Sequence, residues 1–248
     1  MRPVVKTNKQ KADGTPMEYT PWGKAKKVLI SEIGSFCSFC EKYNSRSALH
    51  VEHIYGKKCI NAAGVLIYDT LKHRWDNFLL ACVNCNSVKG NKDIALTNPY
   101  MPHINNLIHY ITINTGGLIQ IKAGLSATDT NGIRGFINLT GIDRVPGHSD
   151  YSDKDDRWDT RLKVYDIVKR QYQKYTAANP TTDLENIIQL ARTNGFFSIW
   201  YYQFITYSEV INVLINGIMI NGTLIRPFPG IHLASFDPTN NFITLPRP

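Results

Sequence analysis

The stretch Leu49-His50-Val51-Glu52-His53-Ile54, followed by Trp75-Asp76-Asn77-Phe78-Leu79-Leu80 and then by Cys82-Val83-Asn84-Cys85-Asn86-Ser87-Val88-Lys89-Gly90-Asn91-Lys92, decides how this chain is read. In the first piece apolar Leu49 and Val51 alternate with polar His50 and Glu52, the period of a half-buried strand, here placed over Ala48–Ile54. The third piece opens on a Cys-x-x-Cys and is read as a helix from Asn86. An acid, an imidazole and two amides (Glu52, His53, Asn77, Asn86) therefore stand in order over the three pieces, the first two on the strand and the last on the helix.

A matching Cys-x-x-Cys, Cys37 and Cys40, lies upstream of the strand. Two cysteines separated by two residues can bend onto one metal as a knuckle, and two knuckles complete a tetrahedral zinc site. Between Cys40 and Cys82 lie 41 residues, so such a clamp brackets an inserted element, the hairpin that carries Glu52 and His53. A redox pair or reduced buried thiols are the other readings; a redox pair belongs in a thioredoxin-like setting and leaves the second pair unexplained. Cys59 has no partner and is read as a small hydrophobe.

The formal net charge is +8 over 248 residues. Residues 1–100 hold 15 Lys and Arg against 8 Asp and Glu, a surplus of 7, whereas residues 101–248 hold 13 against 12. A basic surplus in the cysteine-bearing part is the electrostatic footprint of a polyanion partner. No run of about eighteen apolar residues occurs, and the polar, lysine-bearing start lacks the apolar stretch of a secretory signal, so a soluble, cytoplasmic protein without a membrane partner is expected.

Three parts are expected: a basic arm and short helix (Lys24–Gly34) over 1–35, the cysteine-clamped module over 36–100, and a small sheet with a mainly helical region over 101–248. The arm reads as disordered. In the last part, Leu107–Ile113 and Gly117–Ile121 read as a hairpin and Gly135–Leu139 as a further strand. Asp156–Tyr175 reads as a helix with Trp158, Leu162, Tyr165, Val168 and Tyr172 on one stripe, Thr182–Arg192 as a second, and Ser198–Ile218 as a buried apolar one; the proline-bearing tail from Asn221 reads as loop.

The order of the three pieces resembles the motif of the HNH nucleases, a ββα unit that grips one divalent metal. The fold class the resemblance implies is α+β: a zinc-stabilised ββα-metal core followed by a small β element and a mainly helical C-terminal part. It implies that His53 is the general base, that Glu52 and Asn86 hold a catalytic Mg²⁺ or Mn²⁺, that Asn77 holds the loop behind His53, and that Cys37, Cys40, Cys82 and Cys85 hold a structural Zn²⁺. Glu52 departs from the commoner Asp or His by one methylene. The 22 residues between Ile54 and Asn77 exceed a minimal hairpin.

These residue types suit the chemistry. Phosphodiester hydrolysis needs a nucleophilic water, a base to deprotonate it, and positive charge against the developing negative charge. Imidazole, with an unperturbed pKa of about 6.5, is largely neutral at cellular pH. Carboxylate and amide oxygens are the hard ligands that Mg²⁺ or Mn²⁺ accepts. Lys89 and Lys92 on the helix, and Lys57 and Lys58 in the insertion, are the candidate phosphate contacts. Taken singly, Glu52 reads as a solvated strand residue, His53 as a structural histidine and Asn86 as a helix cap. His50 shares a strand face with Glu52 and is assigned a structural role.

Phe39-Cys40-Glu41, His50-Val51-Glu52-His53, Trp75-Asp76-Asn77-Phe78-Leu79-Leu80-Ala81-Cys82 and Cys85-Asn86 are similar, more narrowly, to the retron- and Septu-associated HNH branch of bacterial anti-phage systems. That branch implies a separate partner ATPase, in keeping with the lack of a P-loop here, and a docking role for Ser198–Ile218. The close resemblance covers residues 36–92, about a quarter of the chain. The substrate it implies is nucleic acid, DNA ahead of RNA. The rival readings are a non-catalytic zinc module that binds nucleic acid or protein, and a homing or restriction HNH nuclease; no helix-turn-helix or zinc-finger reader supports the latter.

Overall fold

An alternating strand must find a partner for its backbone, and the apolar run at 78–82 supplies one. In the computed structural model, which describes residues 1–177 and 184–231, helix α1 (Ala25–Ile33) is followed by strands β1 (Leu49–His53) and β2 (Phe78–Cys82). The two strands pair antiparallel, His53 opposite Phe78 and Leu49 opposite Cys82. Helix α2 (Val83–Lys89) leaves β2 without a linker, because Cys82 is its N-cap and the Cys82 sulfur accepts from the Cys85 N–H at 3.5 Å. The helix expected from Asn86 thus starts three residues earlier. Asn86 is mid-helix, and a capping role for it is excluded.

After a single-turn α3 (Ile94–Thr97), strands β3 (Ile111–Ile113) and β4 (Ile119–Ile121) form the expected hairpin. The strand expected over Gly135–Leu139 is instead the second half of helix α4 (Ala127–Thr140). Its start is signalled by Ser126, whose hydroxyl accepts from the Asp129 N–H at 3.1 Å, and its stop by Gly141 at φ +57°. Ile133, Phe136, Ile137 and Thr140, all buried, fall on one helical stripe. The helical spacing outweighs the short β-like run within it.

Helices α5 (Arg157–Ala177) and α6 (Leu184–Asn194) match the expected pair, although the proposed start at Thr182 lies outside the described residues. The single helix expected over Ser198–Ile218 is two, α7 (Phe197–Gln203) and α8 (Ser208–Asn216), and strand β5 (Ile218–Ile220) follows. Its partner β6 (Thr223–Ile225) corrects the loop expected from Asn221. Asn221 and Gly222 both have positive φ, +48° and +75°, as a two-residue type I′ hairpin turn requires. Pro238 and Pro246 lie outside the described residues.

Two hydrophobic cores result. The first runs from Met1 and Val4 through α1, β1, β2 and α4 to Ile142; the second is built from α5 to α8 with Phe36, Ile108 and Phe228. Residues 101–142 thus pack with the cysteine-bearing part, as Phe136 does against Phe39 at 6.4 Å between ring centroids. The N-terminal arm is not the disordered segment its composition implied. Val4 N–H donates to Pro102 O and Val5 N–H to Gly230 O, both at 2.8 Å, and the Arg2 guanidinium donates to Ile33 O at 2.8 Å and to Pro229 O at 2.9 Å. Among the described residues, no helix is long and apolar enough to cross a membrane.

Candidate functional site

The four paired cysteines converge. β1 and β2 bring Cys82 beside Cys40, and α2 returns Cys85 one turn later, so that the sulfur atoms of Cys37, Cys40, Cys82 and Cys85 lie within 4.8 Å of one another. All are buried and free of disulfides. Thiolates about 2.3 Å from a tetrahedral zinc ion stand roughly 3.8 Å apart. The Cys40 and Cys82 sulfurs are 3.8 Å apart, so this cluster can hold a metal ion such as zinc. Cys59 stays apart, buried, its thiol on the Asn91 carbonyl at 3.3 Å.

A buried arginine stands where it would answer the negative charge of four thiolates around a metal ion. Arg157, at the start of α5, donates from Nη1 to the Cys85 sulfur at 3.1 Å and to Thr140 O at 2.7 Å, while Nη2 reaches Gly141 O at 2.7 Å. Its remaining partner is the Asp155 carboxylate. Glu41, between Cys40 and Lys42, turns at φ +66° so that its buried carboxylate accepts from Ser198 Oγ at 2.7 Å and from Ser198 N–H at 3.0 Å. These contacts tie the cluster to both cores.

Beside it, Glu52, His53 and Asn86 line one cleft of about 400 Å³, together with Trp22, Lys57 and Lys58. The end of β1 supplies the first two and the middle of α2 the third. Glu52 and His53 sit on its floor, 6% and 4% exposed. His53 Nε2 is 2.9 Å from the Lys72 carbonyl oxygen. A carbonyl only accepts, so Nε2 carries the proton and Nδ1 keeps a lone pair. Burial, reinforced by the Lys57 and Lys89 charges and opposed by that hydrogen bond, lowers the His53 pKa to about 4. The ring is neutral at pH 7. It is wedged edge-on between Trp22 (5.6 Å) and Phe78 (5.2 Å).

Asn77 stands behind this arrangement, in the 3-10 turn before β2. Its Oδ1 accepts from Tyr55 N–H at 2.8 Å, and its Nδ2 donates to Tyr55 O at 3.2 Å and Leu71 O at 3.1 Å. One amide therefore joins the chain just after His53 to the chain just before the Lys72 carbonyl that orients the ring. Asn86 is half-buried and makes no side-chain hydrogen bond among the described residues, leaving its amide to the cleft.

The lysines separate. Lys57 and Lys58 line the cleft, Lys57 with its ammonium 3.6 Å above the Trp22 ring. Lys89, expected to meet phosphate, is instead fully buried: its ammonium is 2.7 Å from Glu52 Oε1 and 2.8 Å from His53 O. Glu52 is buried next to it, and its pKa is raised by that burial, with Lys89 and Lys57 opposing. The physical reason for the correction is that a carboxylate so placed requires a cation. Lys92 is exposed, donates to Asn138 O at 2.9 Å, and lies outside the cleft lining.

Sequence reasoning missed Trp22 and Lys26, both in the cleft lining, since the segment before α1 carries no motif. His50, assigned a structural role, is exposed and lines the cleft. The stretch 198–218, read as buried core ahead of a docking surface, gives its apolar side chains, Trp200, Val210 and Leu214 among them, to the second core. Neither a protein-family model nor a curated protein matches this chain.

Proposed function

We propose that this chain is a metal-dependent endonuclease of the HNH type, hydrolysing phosphodiester bonds of nucleic acid as the effector of a bacterial anti-phage system that works with a separate ATPase. The observation that carries the nuclease reading is the neutral, oriented imidazole of His53 in one cleft with Glu52 and Asn86. The defence setting and the ATPase rest on the sequence resemblance alone.

Within this reading the Lys72 carbonyl fixes the His53 ring, and Nδ1 is the atom that takes the proton from the attacking water. Asn77 holds the two backbone segments that set that geometry. Glu52 and Asn86 offer a carboxylate and an amide oxygen to Mg²⁺ or Mn²⁺, whose charge when bound would neutralise the developing phosphorane. Lys57 and Lys58 at the cleft wall attract the phosphodiester. Zn²⁺ at the four cysteines is the structural ion of the reading, holding the loop before β1 to the start of α2.

The test incubates wild type and His53→Ala with plasmid, single-stranded DNA and total RNA in Mg²⁺ and in Mn²⁺, with the proposed partner ATPase added in a parallel series. Loss of the base is expected to slow cleavage by about 10²–10⁴-fold, with circular dichroism unchanged. Cleavage at wild-type rate by His53→Ala overturns the assignment. Binding without cleavage under every condition points to the non-catalytic zinc module.

A further inference from the structure

The cleft continues. A second hollow of about 360 Å³, over the start of α1, shares Gly23 and Lys26 with it and adds Lys24, Lys27 and Arg46 to the lining. The two together expose six cations (Lys24, Lys26, Lys27, Arg46, Lys57, Lys58), and the only carboxylate in either lining is Glu52, which Lys89 already pairs. Among the described residues none of these six is in an ion pair, and Lys26 spends one ammonium donor on the Arg46 carbonyl at 2.9 Å. Lys24, Lys27, Arg46 and Lys58 are exposed. Leaving like charges side by side costs free energy in the free protein, and an unpaired row of them is the footprint of a polyanion that runs along it.

The shape narrows the polyanion. His53 and Glu52 are nearly covered at the bottom of the cleft, so a phosphate reaching them must leave the smooth path of the chain that bears it. A single strand bends at each backbone bond; a duplex resists, with a persistence length of about 150 base pairs. Trp22 is half-buried at the edge of the same cleft with the Lys57 ammonium 3.6 Å over its ring, a cation–π contact that an unstacked base can replace when Lys57 turns to the neighbouring phosphate.

We infer that the hollow at the start of α1 is the entry track for a single-stranded nucleic acid, whose phosphates follow Lys24, Lys27 and Arg46 into the cleft while the base next to the bond at His53 stacks on Trp22. The inference rests on the nuclease reading for the direction of travel; the binding surface stands without it.

The test measures fluorescence anisotropy of a labelled 15-nucleotide single strand and of the matching duplex with no added divalent cation, from 50 to 300 mM salt. Four variants are compared with wild type: Lys24→Glu/Lys27→Glu/Arg46→Glu on the track, Lys163→Glu/Lys169→Glu/Arg170→Glu on the exposed face of α5, Trp22→Ala, and its conservative partner Trp22→Phe. The track variant is expected to bind the single strand more than about tenfold more weakly and to lower the salt slope by about 2, from three lost phosphate contacts. The α5 variant is expected to bind as wild type does. Trp22→Ala is expected to lose about tenfold, with Trp22→Phe recovering most of it. A track variant that binds like wild type, or a duplex bound more tightly than the single strand, overturns the inference. Track-dependent binding with no cleavage in Mg²⁺ or Mn²⁺, with the partner ATPase present as well as absent, leaves the track standing and defeats the nuclease reading. Cleavage that is indifferent to the track substitutions does the reverse.

Discussion

Lys89 shows how one side chain can reverse its expected role. Three residues beyond Asn86 it belongs to the same helical face and reads as a phosphate contact, yet its ammonium is inside, bonded to Glu52 and to the His53 carbonyl. It thereby fixes the end of β1 that carries both groups. Lys6 is a half-buried cation, donating to the Trp75 carbonyl and lying 4.7 Å from the centre of the Trp75 ring. Burial, with Asp76 and Glu32 opposing, lowers its pKa to about 7. Between pH 7 and the ordinary lysine value of about 10.4 the unfolded chain holds a proton that the native chain has released, so the Lys6 contribution to stability rises with pH across that window. Below pH 7 both states are protonated and the cost of burying the charge is complete. Urea unfolding of wild type and Lys6→Met at pH 6.5 and pH 9.5 is expected to show the variant gaining on wild type at the lower pH and losing that advantage at the higher. A difference between the two proteins that does not change with pH rules this out.

At the scale of elements, the decisive join is between α5 and α2. Arg157, the first residue of α5, spends its guanidinium on Cys85 of α2, on two carbonyls at the end of α4 and on Asp155. Removing one member of a buried charged set costs about 3–5 kcal/mol, because its partners are left without compensation. Arg157→Ala is expected to lose about that much in denaturant unfolding and, once loaded with zinc, to release it faster to a chromogenic chelator; Arg157→Lys, with one donor group in place of a fork, is expected to recover only part. Wild-type metal release from Arg157→Ala counts against the join. The helices of the second core were legible in the sequence because each carries its own period and stop. The break between α7 and α8 was not, since an all-apolar stretch offers no polar face by which to phase it. The β5–β6 turn was overlooked although Asn221-Gly222 is a strong hairpin signal, and α4 although Ser126 and Gly141 mark its ends.

For the whole molecule, the cysteine cluster is where the two cores meet. Phe36 belongs to the second core and Cys37, the next residue, to the first. Glu41 accepts from Ser198 of α7, and Phe196 N–H donates to the Glu41 carbonyl at 3.0 Å. Separate unfolding of the cores would break these buried polar contacts one-sidedly, so a single cooperative transition is expected in calorimetry. Metal removal at the four cysteines is expected to lower that one transition as a unit. Two resolved transitions, with only one moved by chelation, would show the cores to be independent.

The sequence by itself determined the cysteine pairs, the order of Glu52, His53, Asn77 and Asn86, and the strand and helix that carry all of these but Asn77, because period and spacing are set within a few residues of one another. Only the tertiary structure decided that the N-terminal segment is buried, that Lys89 points inward and that Arg157 reaches Cys85. Glu52, which pairs Lys89, lies 37 residues from it, and Cys85, which Arg157 reaches, lies 72 residues from that arginine. No local pattern carries their proximity, since the free energy of burying a charge depends on what the fold places around it.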